Sequence, residues 1–297
     1  MCILSGSPER VSKTQILAFH AADGRHQVTV YANEVRLARR ISTTYVPWGE
    51  PGGGGDGNDV AECAMVLPFP AGGACEMIDT TSSKGLFAAL NDLFPGVLSY
   101  SLGSRGGFGV ADGATLEVKS CGSYDYSVAP TVDDLSRLDA SLRIGDVMDL
   151  LRRVYGTGFS FLVCGIRKSA QYHPIAYRHA LRSDGRLFLP TLHEHGPAAH
   201  AHGPMWDHVI FSLRQGHPQS QSQQAGYVSE DYDARPPWLE EETIEKSKEV
   251  GVSWQEVAKA VGPALAKHLT SGTNGATLKK ITLVGNHPNQ DMLIKRS

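Results

Sequence analysis

The chain has 297 residues, of which 41% are apolar and 20% charged, with 28 basic against 31 acidic side chains and a formal net charge of -3. That length allows one large domain or two of ordinary size, and the composition excludes collagen, coiled coil and wholesale disorder. The charge balance argues against nucleic acid or an anionic membrane as partner.

At the N-terminus, Met1-Cys2-Ile3-Leu4-Ser5 offers too short an apolar stretch for a secretory signal, and no apolar run approaches the roughly 18 residues of a membrane span. The five cysteines, Cys2, Cys63, Cys75, Cys121 and Cys164, form no C-x-x-C. An odd, scattered set without an export signal reads as reduced thiols in an intracellular, cytoplasmic protein, and the last four read as buried and inert.

Thr14–His20 and Gln27–Asn33 alternate apolar and polar residues and predict two strands of a hairpin around Asp23-Gly24. The glycine run over residues 52–57 lacks the Lys-Ser/Thr of a phosphate loop and reads as a surface loop. C-A-M-V-L-P-F-P (63–70) is a continuous apolar run and predicts a buried strand ending at Pro68. A short strand over Glu76–Asp79 follows, then a helix over Ser83–Phe94 stopped by Pro95. Residues 99–113 read as a second loop, and Leu116–Lys119 with Tyr124–Ala129 as a strand pair.

Beyond these, a short helix through Leu138, a helix over Asp146–Tyr155 and strands over Phe159–Ile166, Pro174–Tyr177, Arg186–Leu192 and Pro204–Leu213 are predicted. The polar tract from Gln215 cannot bury a core and reads as a linker over 215–235. It divides a β-rich main domain (1–214) from a small helical extension (236–297). In that extension Glu240–Val250 reads as an acidic helix, Ser253-Trp254-Gln255-Glu256 as a capping box, Gly262-Pro263 as a break, and Thr277–Val284 as a last strand. The fold class these elements predict is α+β: a mainly antiparallel sheet body with two or three embedded helices and a helical C-terminal extension.

Two chemical features stand out. Five of the twelve histidines, His193, His195, His200, His202 and His208, lie in one window with Asp207. Neutral imidazole suits zinc or another transition metal. On a strand, His193 and His195 share a side, so His193, His195 and His208 are the candidate ligands, with His200, His202 and Asp207 as possible additions. The window lacks H-E-x-x-H, and its alanines, glycines and prolines equally suit a solvated loop. His173 and His179 read as turn or strand-face histidines.

The second feature is Cys2. Removal of Met1 leaves a free α-amino group beside a thiol, a self-contained base and nucleophile. In this the first residues resemble N-terminal-nucleophile amidohydrolases, a likeness that implies Cys2 as catalytic residue; Arg10, Arg25 and Asn33 match that family's supporting residues by type only.

V-T-V-Y, A-M-V-L-P-F-P, L-F-A-A-L-N-D-L-F-P, S-Y-D-Y-S-V-A-P, L-L-R-R-V-Y-G-T-G-F-S-F-L-V, Y-H-P-I-A-Y and L-F-L-P-T-L-H-E-H, in that order over about residues 1–213, resemble an uncharacterised bacterial domain family of unknown function. The resemblance implies a β-rich domain with an embedded helical segment and no particular activity. Because no complete catalytic constellation is visible, the first expectation is a non-catalytic binding or structural module, with a protein partner or a homo-oligomer. A transition-metal protein or metal-dependent hydrolase is the alternative, and a cysteine N-terminal-nucleophile amidohydrolase the third.

Overall fold

The computed structural model describes residues 2–5, 8–37, 63–95, 116–142, 144–166, 172–194, 205–215, 239–240, 247–270, 275–286 and 290–294. In chain order the elements are β1 (Cys2–Leu4), β2 (Pro8–His20), β3 (His26–Leu37), β4 (Cys63–Pro70), β5 (Glu76–Ile78), α1 (Leu86–Asp92), β6 (Lys119–Cys121), β7 (Tyr124–Ala129), α2 (Met148–Tyr155), β8 (Phe159–Ile166) and β9 (Ile175–Ala180). They continue with β10 (Leu187–Leu189), β11 (His193–Glu194), β12 (Met205–Gln215), β13 (Leu239–Glu240), β14 (Ser247–Val252), α3 (Trp254–Val261), α4 (Pro263–Ala266), β15 (Ala276–Asn286) and β16 (Met292–Ile294). Three short 3-10 turns lie between β7 and α2.

The strands form a six-stranded sheet ordered β11-β1-β4-β8-β7-β6, a seven-stranded sheet ordered β14-β15-β12-β2-β3-β9-β5, and a small sheet ordered β10-β16-β13. Among the described residues ten of thirteen strand pairings are antiparallel, so the expected α+β, mainly antiparallel architecture holds.

Four layers explain the apolar pattern. The two large sheets face each other over a core that includes Met65, Leu67, Leu162 and Ile166 from one and Ile16, Tyr31, Tyr177 and Ile281 from the other. The outer face of the seven-stranded sheet, with Leu17, Val28 and Phe211, is covered by α1, α3 and α4 through Leu86, Leu90, Val257 and Leu265. The outer face of the six-stranded sheet, with Ile3, Val66 and Phe161, is covered by α2 and the 3-10 turns through Leu135, Leu142 and Leu151. A strand with both faces covered needs apolar residues at every position. β4 and β8 are buried at all eight positions each.

The apolar run 63–70 continues as strand through Pro70, past the expected end at Pro68. β1 pairs with β4 only at Met65 and Val66. From Leu67 onward β4 has β8 on one side and no β1 on the other, so a missing N–H is tolerated there.

The C-terminal residues enter the seven-stranded sheet and the small sheet. β15 pairs with β12 over eleven positions and with β14 over six, and β16 pairs with β10. Among the described residues, 236–297 thus carry four strands as well as α3 and α4. Ser247–Val252 is strand where the acidic pattern suggested helix: Glu249 faces Lys279 across the ladder, with a 3.4 Å ion pair. The capping box forms as expected, Glu256 N–H donating to Ser253 Oγ and Ser253 N–H to Glu256. Gly262 at φ 81° then separates α3 from α4, and a Cβ there would lie 2.4 Å from Ser83 Oγ.

A buried polar network ties the small sheet to the large one. The Gln27 amide donates to Phe188 O (2.6 Å) and Thr29 Oγ1 (2.8 Å), and its oxygen accepts from Phe188 N–H (2.9 Å). Thr29 in turn donates to His179 Nε2 (3.2 Å), whose Nδ1–H donates to Ala180 O (2.9 Å). Burial pushes the His179 imidazole down to about 4, with the Ala180 carbonyl pulling the other way. The unfolded chain holds this group near 6.5, so between those values it binds more protons than the native state. Stability is therefore full above pH 6.5 and falls as pH drops toward 4, by roughly 3 kcal/mol from this group. Urea unfolding across this window should show that loss. His179→Gln, which cannot charge but keeps a donor and an acceptor, should flatten it; an unchanged slope would contradict the assignment.

Candidate functional site

The histidine window is divided by the topology. His193 lies on β11, at the edge of the six-stranded sheet, in parallel register with Cys2. The backbone therefore sets side by side two residues that the sequence places in separate readings. Cys2 itself is not on an edge strand, since β1 runs between β11 and β4. His208 belongs to β12 of the other large sheet, opposite Leu283, and is fully buried. His195, His200 and His202 lie outside the described residues. Among the described residues no group of three His, Cys, Asp or Glu side chains could hold a metal ion. Cys63 and Cys164 are buried, while Cys75 and Cys121 are partly buried, and burial raises these last two to about 12 and about 11.

Asp207 has a structural task. β2 follows β12 in parallel only as far as Gln15, where a bulge sets Lys13 and Thr14 against Asn33. Lys13 sits at φ 55°, the left-handed region that costs a non-glycine residue roughly 1 kcal/mol. Its N–H donates to Asp207 Oδ2 (2.6 Å) and its ammonium pairs with Glu34 (2.8 Å). The carboxylate replaces the ladder partner that the bulge removes.

Past the bulge a cleft of about 280 Å3 opens between the sheets. Its walls come from Gln15 on β2, Tyr31 and Asn33 on β3, the start of α1 with Lys84, and the approach to β9 at Tyr172 and His173. Met65, Tyr124 and Ile166 line it from the six-stranded sheet. β9 reaches only to Tyr31 on β3, so the ribbon beyond is bordered by this opening.

His173 is the best-fixed polar group there, at 2% exposure. Ser123 N–H donates to its Nε2 (3.0 Å), which fixes the neutral Nδ1–H tautomer. That proton is shared between Thr80 Oγ1 (2.8 Å) and Pro174 O (3.0 Å). Thr80 donates onward to Pro174 O, and Tyr124 OH donates to His173 O. Burial lowers the imidazole, against the pull of the Pro174 carbonyl and Asp79, so it stays uncharged at neutral pH. With one nitrogen accepting a backbone proton and the other donating, the ring has no lone pair left for general-base work. Tyr124 is likewise held in its phenol form, raised by burial and by its neighbours.

Gly122 makes this close approach possible. It sits at φ 58°, and a Cβ would lie 2.0 Å from His173 Nε2 and 2.7 Å from Thr81 Cγ2. In the sequence His173 reads as a turn or strand-face histidine, and neither it nor Gly122 stands out as a functional candidate. The only local signals were Y-H-P before a strand and C-G-S between two others.

No family model matches the chain, and no curated protein does. Solved structures similar to it include a chain of the caspase-8/p35 complex, at TM-score 0.42 and 10% identity over 96% of each chain. Another is a mutated baculovirus p35 after caspase cleavage, at TM-score 0.40 and 10% identity, covering 96% of this chain and 99% of that one. A likeness this distant assigns no function.

Two substitutions test the site. Gly122→Ala combines a strained φ with displacement of His173 and should cost several kcal/mol, read as a lowered urea midpoint. Asp207→Ala should cost about 1–2 kcal/mol by stranding the Lys13 N–H, whereas Lys13→Gly, which keeps that donor and relieves the backbone, should stay within about 1 kcal/mol of the parent. Equal losses for Asp207→Ala and Lys13→Gly would rule out the bulge as the reason for Asp207.

Proposed function

We propose that the protein is a non-catalytic binding module whose ligand occupies the cleft beside His173. The observation that carries this reading is that His173, the one histidine among the described lining residues, is spent on the fold: both ring nitrogens are engaged by the protein itself. A concave site of mixed aromatic and amide lining without an available base suits recognition more than turnover. No helix among the described residues is long and apolar enough to cross a membrane. We place the protein inside the cell, with its thiols reduced, and expect a protein partner or a second copy in preference to nucleic acid.

A second reading, a transition-metal protein or metal-dependent hydrolase, rests on His193 and His195 without His208, which is buried in the other large sheet; the register that sets His193 beside Cys2 is the one observation that favours it. The same neighbourhood serves the thiol-nucleophile reading. Elemental analysis of untagged protein and turnover assays with ester, amide and phosphoester substrates separate the three. The binding reading expects far less than one metal per chain and no turnover. Near-stoichiometric metal lost in His193→Ala, or turnover abolished by Cys2→Ala, would replace it.

A further inference from the structure

We infer that the cleft takes a small monoanionic aromatic acid, its carboxylate on the Lys84 ammonium and its ring beside the stacked Tyr124 and Tyr172. This inference rests on the binding reading above. Size sets the first limit. About 280 Å3 lies at the bottom of the usual range for ligand pockets, which suits a single ring with one substituent.

Charge sets the second. Among the described residues that line the cleft Lys84 is the only cation and none is a carboxylate, and His173 is locked in its neutral tautomer. A net charge near +1 suits a monoanion and leaves a dianion such as phosphate half compensated. Among the described residues neither the Lys84 ammonium nor the Gln15 amide has a hydrogen-bond or ion-pair partner. Both are therefore available to a carboxylate at no cost to the fold.

Shape sets the third. Tyr124 and Tyr172 stack with ring centroids 5.0 Å apart and planes 28° from parallel, with His173 edge-on to Tyr124 at 5.0 Å. Hydrogen bonding to the His173 carbonyl fixes the Tyr124 ring in place. A flat, pre-ordered aromatic wall favours a planar ligand over a branched aliphatic one.

This chemistry has two sources: a free aromatic acid, or the C-terminal carboxylate of a peptide ending in an aromatic residue. Benzoate probes the first and N-acetylphenylalaninate the second, each with its neutral amide as control, by isothermal titration calorimetry and protein-observed NMR of the full chain. The expected result is at least one anion binding about tenfold more tightly than its amide, with shifts at Lys84, Tyr172 and His173. The tighter of the two anions identifies the source. Lys84→Met should erase the preference for the anion, bringing anion and amide to equal affinity with the thermal midpoint unchanged, and Lys84→Arg should restore it. Anion and amide binding equally, or Lys84→Met leaving the preference intact, would overturn the charge assignment while leaving the binding reading in place. No binding by any of the four would overturn this ligand class, whereas the binding reading itself falls separately, on turnover or bound metal.

Discussion

The double-sided burial of the β4–β8 pair is the constraint on which the rest depends. A sheet whose central strands are apolar on both faces must be covered twice. The seven-stranded sheet supplies one cover, through the core that Phe69 and Tyr177 share, and α2 with its 3-10 turns supplies the other. The seven-stranded sheet then has an apolar outer face of its own, and α1, α3 and α4 close it. Removing the C-terminal segment would expose Phe211 and Leu213 on β12 as well as the β12 edge that β15 now occupies. The C-terminal strands and helices are in this sense part of the core rather than an accessory to it.

This also marks where the sequence could be read and where it could not. Phe159–Ile166 as a strand, Ser253 as a helix cap and Gly262-Pro263 as a break follow from short-range rules, and each is found. The partner of each strand is a long-range fact. β15 reads locally as one more apolar-alternating segment, and the polar tract before it reads as a boundary, so nothing local says that Ile281 lies opposite Ile210. The same holds at the candidate sites. Cys2 and His193 become neighbours only through the β1–β11 register. His173 acquires its environment from Thr80, Ser123 and Tyr124, which come from three other parts of the chain.

Where the chain leaves its ladders, buried polar side chains take over. Asp291, fully buried, accepts from Thr191 N–H and Leu192 N–H (2.9 Å each) and from Tyr155 OH (2.7 Å), joining the approach to β11, the end of α2 and the start of β16. Burial raises its carboxyl, opposed by these donors. Gln27 does the same for β10, and His173 for the entry to β9. Each group gives an irregular segment the backbone partners it would otherwise lack, and an unpaired buried N–H costs about 1–3 kcal/mol. A side chain so engaged is poorly suited to chemistry, because the proton or lone pair that catalysis needs is already in use.

The cleft follows from these arrangements together. The bulge at Lys13 ends the β2–β12 pairing at Gln15, and β9 ends its pairing with β3 at Tyr31. The β2–β3 ribbon continues past both without a partner strand on either side among the described residues. Its Asn33 thus comes to border a gap in the sheet instead of a neighbouring strand, and Gln15, the last β2 residue paired with β12, lines the same cleft. The segment through Tyr172 and His173 borders the opposite side, held by Thr80 and Ser123, and the Lys84 end of α1 completes the rim. Asp207 therefore shapes the cleft from a distance: by holding Lys13 in its unusual backbone conformation it fixes where the two large strands separate. In the sequence it reads as a possible metal ligand, and in the fold it braces the bulge from which the ribbon leaves the sheet.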